Sequence, residues 1–280
     1  MATNTPPLII GNWKMNGDKT VWQKLATSLT ASLPVNLAQN ASDVTPQADI
    51  VICPPLAALG VIAETLEAQD CSRNTENNDT QNKQIKLGAQ NLYPGADAAV
   101  TGEVNAGMLK SMGCGYVIVG HSERRALFSE SDGFVAQKTR SALEAGLVPV
   151  VCIGERADTP DPDAFLEQQL KNSLQGVDSS KLKADMGNNL IIAYEPIWAV
   201  GTGKTATPET IAKTTTHLRK TLRKLYGADV GDGIRILYGG SMKAENAAKI
   251  MAVPNVSGGL VGGASLKVDA FTSLAKNACL

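Results

Sequence analysis

The sequence has few histidines, few cysteines, little excess charge and no long hydrophobic run, and each shortage excludes a class of protein. Only two histidines, His121 and His217, occur in 280 residues, and no CxxC pair is present, so no metal site is expected. The formal net charge of -1 gives no basic surface for nucleic acid. No apolar run approaches the ~20 residues of a membrane span, and residues 1–7 lack a signal-peptide pattern. We expect a cytoplasmic protein with no nucleic-acid or membrane partner.

The five cysteines favour a reducing environment. Five is an odd number, and Cys53 and Cys152 lie inside apolar, strand-like runs. This pattern is typical of reduced, buried thiols. With 43% hydrophobic residues the chain can bury a large core, and its length suits a single α/β domain over residues 1–280.

Short β-rich runs alternate with longer helical patterns along the chain, which predicts repeated βα units around a parallel sheet. The predicted strands are 8–11, 49–53, 85–89, 116–120, 148–153, 190–194, 234–238 and 259–261, and the predicted helices lie near 18–32, 55–69, 104–112, 132–145, 163–175, 208–225, 243–252 and 266–277. Thr207, Pro208 and Glu209 form a typical helix start, and Gly146 a typical helix end. Eight units predict a single-domain (β/α)8 barrel. A doubly wound open sheet is the alternative, but no GxGxxG follows the first strand.

Two polar stretches interrupt this pattern. Residues 71–84 are rich in Asn, Thr, Asp and Gln, which predicts a mobile, solvated insertion, and residues 34–47 are similar. The βα alternation resumes in step after each stretch, so neither is predicted to be a linker between domains.

Residues 194–204, YEPIWAVGTGK, have the features of a catalytic base followed by a lid. Glu195 follows a strand that is predicted to be buried, Pro196 prevents a helix there, and Gly201 and Gly203 free the far end. An apolar middle would let such a segment close over a ligand and expel water. Taken alone, the segment is equally compatible with an exposed glutamate before a surface turn.

Functional side chains of a (β/α)8 barrel lie at the C-terminal ends of its strands. Glu195 could remove a proton next to a carbonyl, and His121, Asn12 and Lys14 could stabilise the resulting oxyanion. Glycine turns would let main-chain N–H groups approach a phosphate. These features predict an enolisation site for a small phosphorylated carbonyl compound. Its candidates follow strands one, four, six, seven and eight: Asn12, Trp13, Lys14, His121, Glu123, Glu195, Gly239, Gly240, Ser241, Gly262, Gly263 and, just beyond them, Ser265 at a helix start.

Each candidate alone has a more ordinary interpretation. His121 could be a core histidine, Lys14 a solvated surface charge and Ser241 a helix cap. Arg124 and Arg125 could hold structural or subunit ion pairs. The joint position of the candidates on one predicted rim favours the catalytic interpretation.

The motifs that carry these residues resemble those of the triosephosphate isomerase family over nearly the whole chain. They are GNWKMN at 11–16, GHSERR at 120–125, CIGE at 152–155, AYEPIWAVGTGK at 193–204, YGGS at 238–241 and LVGGASL at 260–266. The resemblance implies a TIM barrel that interconverts D-glyceraldehyde 3-phosphate and dihydroxyacetone phosphate through an enediolate. It also implies a role in glycolysis and gluconeogenesis and no cofactor.

The resemblance assigns a role to each candidate. Glu195 would be the base and His121 the neutral electrophile, a pairing known in this family. Ser122 begins a predicted helical turn whose positive end would disfavour imidazolium. Lys14 and Asn12 would be the electrostatic partners, and Glu123 would support them. The substrate would be held by Asn12 and Lys14, and its phosphate by N–H groups of Gly201, Ser241, Gly262 and Gly263.

Members of this family are dimers, so a homodimer through the loop Thr101-Gly102-Glu103 is expected. Val100 stands where many members have an aromatic residue, which changes the predicted contact, and Ser257 stands where an acidic residue is frequent. Two alternatives to the triose activity remain. One is an isomerase for a tetrulose phosphate on the same scaffold, and the other is a catalytically idle barrel that acts as a binding scaffold.

Overall fold

Eight parallel strands close into a barrel. The structure, a computed structural model, describes residues 5–33, 48–73, 85–182, 189–199 and 205–280. Within these ranges the strands pair in chain order, and β1 pairs with both β2 and β8. They are β1 (Leu8–Asn12), β2 (Asp49–Cys53), β3 (Ile85–Ala89), β4 (Tyr116–Val119), β5 (Val148–Ile153), β6 (Ile191–Tyr194), β7 (Arg235–Tyr238) and β8 (Gly258–Val261). The predicted barrel is confirmed, and each strand limit lies within about one residue of its prediction.

Helices cover the outside of the barrel. In the described part of the chain they are α1 (Lys19–Ser32), α2 (Leu59–Arg73), α3 (Ala106–Ser111), α4 (Ser122–Phe128), α5 (Asp132–Glu144), α6 (Pro162–Ser173), α7 (Pro208–Gly233), α8 (Ala244–Met251) and α9 (Val268–Asn277). Short 3-10 turns at Leu56–Ala58 and Gly263–Leu266 precede α2 and α9. Thr207 caps α7 as predicted, because its hydroxyl accepts the N–H of Thr210 at 3.3 Å.

Two helices end later than predicted. Helix α7 was expected to end near residue 225, but it continues to Gly233 after a break at Gly227, where φ is 81°. Arg219 holds the continuation, since its guanidinium donates to the carbonyls of Gly231 and, at 2.6 Å, of Ile234. Helix α2 continues to Arg73, so the first three residues of the predicted 71–84 insertion are helical. The rest of that insertion, residues 34–47 and residues 200–204 lie outside the described residues.

The core has two layers, one inside the barrel and one between the strands and the helices. The inner layer is formed by strand side chains that point to the barrel axis, and Cys53 and Cys152 belong to it. The outer layer contains the other face of the strands and the apolar faces of the helices. This packing fills the barrel, so a ligand can enter only at its ends. No helix in the described part is both long and apolar enough to cross a membrane.

Candidate active site

Glu195 directly follows β6, and both oxygens of its carboxylate have a hydrogen-bonding partner. The main-chain N–H of Glu195 donates to the carbonyl of Ile153 at 2.8 Å, which continues the barrel ladder by one residue. The side chain is 2% exposed. Oε1 lies 2.9 Å from His121 Nε2, and Oε2 accepts the N–H of Ser122 at 3.0 Å. Each carboxylate oxygen therefore has one hydrogen-bonding partner.

Two glycines make room for Glu195. A Cβ at Gly154 would lie 1.8 Å from the carbonyl oxygen of Glu195, and a Cβ at Gly239 would lie 2.8 Å from its Cγ. Neither gap accommodates a methyl group. Gly154 of the CIGE motif and Gly239 of the YGGS motif are thus required by the close packing around the main chain and the side chain of Glu195.

His121 lies at the N-cap of α4 and is 5% exposed. Its Nδ1 accepts the main-chain N–H of Glu123 at 3.2 Å. Only an unprotonated nitrogen can accept that bond, so the proton of a neutral imidazole resides on Nε2. Nε2 then donates to Glu195.

The pKa values of this pair move in opposite directions. Burial raises the pKa of Glu195, but the charge and hydrogen bond of His121 and the N–H of Ser122 lower it, and the pKa lies below its usual range. Burial lowers the pKa of His121, whereas the charge of Glu195 and the hydrogen bond to it raise it, so the pKa lies above its usual value. Two further charges act on His121: the carboxylate of Glu123 raises its pKa, and the ammonium of Lys14 lowers it.

Lys14 has a strained backbone that two amide side chains support. Its φ is 51°, in the left-handed region that is unfavourable for a residue with a long side chain. The N–H of Lys14 donates to Asn12 Oδ1 at 3.1 Å. Gln90 Nε2 donates at 2.9 Å both to the carbonyl of Lys14 and to that of Cys53. Gln90, which follows β3, was missed by the sequence analysis, although its position after a strand was the available signal.

The ammonium of Lys14 lies between Glu123 and one of the glycine turns. Its Nζ is 2.5 Å from Glu123 Oε1. A Cβ at Gly262 would lie 3.4 Å from Lys14 Cε and 3.9 Å from its Nζ, so the lysine packs directly against this turn. Glu123 is thus the residue that links Lys14 to the N-terminal turn of α4, beside His121.

One cavity of about 700 Å³ opens at the C-terminal end of the barrel. Among the described residues no main-chain partner is found for the N–H groups of Gly240, Ser241, Gly262 or Gly263. Unpaired N–H groups beside an ammonium are suited to bind an anion. Gly201, the fourth predicted phosphate ligand, lies outside the described residues. The candidates that the structure brings to this cavity are Asn12, Lys14, His121, Glu195, Gly239, Gly240, Ser241, Gly262 and Gly263.

Other candidate residues have structural contacts. Ser265 lies inside the 3-10 turn, not at the start of a long helix, and its hydroxyl donates to the carbonyl of Gly262 at 2.7 Å. Arg124 binds Glu130 at 2.6 Å, and Arg125 binds Asp132 at 2.6 Å. The two arginines therefore form ion pairs within the chain, as the ordinary interpretation predicted.

Glu155 is a buried residue whose contacts were not predicted. Its Oε1 accepts the hydroxyl of Tyr194 at 3.0 Å and the indole N–H of Trp198 at 2.9 Å. Tyr194 precedes Glu195, and Trp198 follows it by three residues. Glu155 thus fixes the chain on both sides of the candidate base. The CIGE motif was recognised in the sequence, but nothing in its spacing indicated this contact.

Comparisons with known proteins agree with one family. The family model described as triosephosphate isomerase matches residues 7–278. The triosephosphate isomerase of Rhodopirellula baltica is 40% identical over 277 residues, covering 97% of each chain, and that of Chloroflexus aurantiacus is 43% identical, covering 95% of this chain and 96% of the relative. The crystal structure of triosephosphate isomerase from Bartonella henselae matches with a TM-score of 0.76 at 32% identity, covering 98% of this chain and 99% of that one.

The fold and the site define a (β/α)8-barrel enzyme in which a buried carboxylate, an imidazole and an ammonium meet at the C-terminal mouth of the barrel. Two independent kinds of match, over the sequence and over the fold, extend along nearly the whole chain. The chain belongs to the triosephosphate isomerase family.

Proposed function

We propose that the protein interconverts D-glyceraldehyde 3-phosphate and dihydroxyacetone phosphate, with Glu195 as the base and His121, Lys14 and Asn12 as the groups that stabilise the oxyanion. The observation that carries the proposal is the contact of 2.9 Å between Glu195 and His121 in a cavity that also holds Lys14. Family membership supports the reaction, because the relatives compared above are all named triosephosphate isomerase.

The reaction moves two protons and needs no other reactant. Glu195 takes a proton from C1 of dihydroxyacetone phosphate and returns it to C2, while the hydroxyl proton on O1 moves to O2. The enediolate between these steps carries its charge on O1 and O2, where the Nε2–H of His121, the ammonium of Lys14 and the amide of Asn12 can donate. Each fixed donor of this kind lowers the activation free energy by roughly 2.7–4 kcal/mol.

The substrate phosphate would bind at the glycine turns of β7 and β8. Two features support this position. The N–H groups of Ser241, Gly262 and Gly263 have no main-chain partner among the described residues, and the ammonium of Lys14 is near. A phosphate favours several fixed donors together with a positive charge. Gly201 stays a predicted fourth ligand. The distance from this turn to Glu195 would set the length of the substrate.

The test is the isomerisation rate of glyceraldehyde 3-phosphate in a coupled assay, with a tetrulose phosphate measured in parallel. Fast turnover of the triose alone would support the proposal. A better rate with the tetrulose phosphate would mean that this compound is the substrate, and the proposed mechanism would still apply. Absence of turnover with both would contradict the proposed activity and favour the idle scaffold.

A homodimer is part of the proposal. The large apolar side chains of Met15, Leu127 and Phe128 are 95%, 74% and 63% exposed, and such exposure on a single chain indicates a covered surface. The loop Thr101-Gly102-Glu103 is exposed as well, which supports the expected partner contact. A cytoplasmic location also stays a proposal, which the free thiols of Cys53, Cys114 and Cys152 support.

A further inference from the structure

The carbonyl of Ser241 accepts hydrogen bonds from two side chains that lie outside the cavity wall. The hydroxyl of Thr205 donates to this carbonyl at 3.3 Å, and Asn246 Nδ2 donates to it at 3.2 Å. The same Nδ2 lies 3.5 Å from the hydroxyl of Thr205. Three chain segments, those before α7, after β7 and within α8, therefore meet at one carbonyl.

Asn246 has an ordinary role that accounts for only half of its side chain. It is the third residue of α8, and its Oδ1 accepts the main-chain N–H of Lys243 at 2.8 Å, which caps the helix. The cap uses the oxygen alone. A carboxylate at this position would cap equally well, so the cap does not explain the contacts of the amide nitrogen.

We infer that Asn246, together with Thr205, is a positioning residue for the phosphate turn, and this inference rests on the proposed function. Fixing the Ser241 carbonyl fixes the plane of the next peptide and restricts the turn that carries the Ser241 N–H. The turn contains Gly239 and Gly240, whose backbones have more freedom than those of other residues. A turn of this kind needs external hydrogen bonds to hold its N–H groups in one direction before the phosphate arrives.

The effect of these residues is confined to the phosphate end of the substrate. Neither Thr205 nor Asn246 is among the residues that line the cavity, so they act through Ser241 and not by contact with the ligand. A net hydrogen bond contributes modestly, and loss of one should weaken phosphate binding by about three- to tenfold. The turnover of a substrate without phosphate should therefore not change.

The experiment compares Thr205→Val, which keeps the shape but removes the hydroxyl, with Thr205→Ser, which keeps the hydroxyl. Asn246→Ala and the double variant Thr205→Val/Asn246→Ala complete the set. For each protein we would measure KM for glyceraldehyde 3-phosphate, the inhibition constant of inorganic phosphate, and the slow turnover of D-glyceraldehyde by NMR. Thermal unfolding identifies any variant that has lost stability through its helix cap.

We expect Thr205→Val and Asn246→Ala to raise KM and the inhibition constant by about three- to tenfold. Thr205→Ser should have values near those of the wild type. In the double variant the increase should be smaller than the product of the two single increases. Turnover of D-glyceraldehyde should stay within about twofold. Unchanged phosphate inhibition in a folded Thr205→Val protein would overturn the inference, and so would an equal loss on both substrates. The wild-type rate alone decides the proposed function. Should that rate be absent, binding of inorganic phosphate measured by calorimetry still tests the role of Asn246.

Discussion

Glu195 and His121 each influence the protonation of the other. The carboxylate raises the pKa of the imidazole, and the imidazole lowers the pKa of the carboxylate. A ligand that separates them returns each group to its own surroundings. For His121 these surroundings are burial and Lys14, which lower its pKa, and the carboxylate of Glu123, which raises it. The N–H of Glu123 donates to Nδ1 and favours the neutral donor that the proposed reaction requires.

The position of the carboxylate is tested by Glu195→Asp, which withdraws it by one methylene. We expect KM to change little and kcat to fall by about 100-fold, because a displacement of about 1 Å costs roughly that factor. Steady-state kinetics in both directions is the measurement. Glu67→Asp on the exposed face of α2 is the matched control, and turnover of Glu195→Asp near the wild-type value would remove Glu195 from the mechanism.

The coupling of the pair is tested by NMR titration of the histidines in Glu195→Gln. The substitution removes the charge that raises the pKa of His121, so this pKa should fall and the imidazole should stay neutral to lower pH than in the wild type. The chain contains one other histidine, His217, which serves as the control in the same spectrum. An unchanged or higher pKa of His121 would show that Glu195 does not control its protonation.

Three cysteines should resist thiol reagents. Burial raises the pKa of Cys114 to about 12, and burial also raises the pKa values of Cys53 and Cys152 above their usual range. At pH 8 these groups are protonated and covered, so labelling should require unfolding. Cys279 is partly exposed and should react first among these four. Mass spectrometry after timed labelling distinguishes them, and rapid labelling of Cys152 in the native protein would contradict the buried inner layer.

At the scale of single elements, the start of α7 can be tested through its cap. Removing the hydroxyl with Thr207→Ala leaves the N–H of Thr210 without its acceptor and should lower the free energy of unfolding by about 1 kcal/mol. Thr207→Ser keeps an acceptor and should lose much less. Denaturant unfolding of the three proteins gives the comparison. Equal stability of wild type and Thr207→Ala would mean that water replaces the cap at no cost.

Strands and site motifs could be predicted from the sequence, whereas several supporting contacts could not. The strands are runs buried on both faces, and such runs have clear ends. Helix α7 was predicted to end near residue 225, but Arg219 binds the chain beyond the break at Gly227 and the helix continues to Gly233. Gln90 and Glu155 act through contacts between distant segments. Those contacts depend on the closed barrel, and no local pattern encodes them.

At the scale of the whole molecule, the exposed apolar side chains around α4 predict a dimer. Light scattering should give a mass near twice 29.4 kDa, and Phe128→Asp should shift the equilibrium towards the monomer by placing a charge in the covered surface. Phe165→Asp is the matched control, because Phe165 is 43% exposed on α6. A wild-type protein that stays monomeric at all concentrations, or equal dissociation of both variants, would contradict the proposed interface.

The engaged state of Glu195 has a consequence for inhibitor design. A substrate analogue that binds the carboxylate of Glu195 in place of Ser122 and His121 would have its measured affinity reduced by the free energy of that exchange. A fragment that fills only the region of Ser241 and Gly262 leaves the hydrogen bonds of Glu195 in place, so its affinity is not reduced by this exchange. Such fragments are a sound starting point for a lead series, and growth towards His121 can follow once their affinity is established.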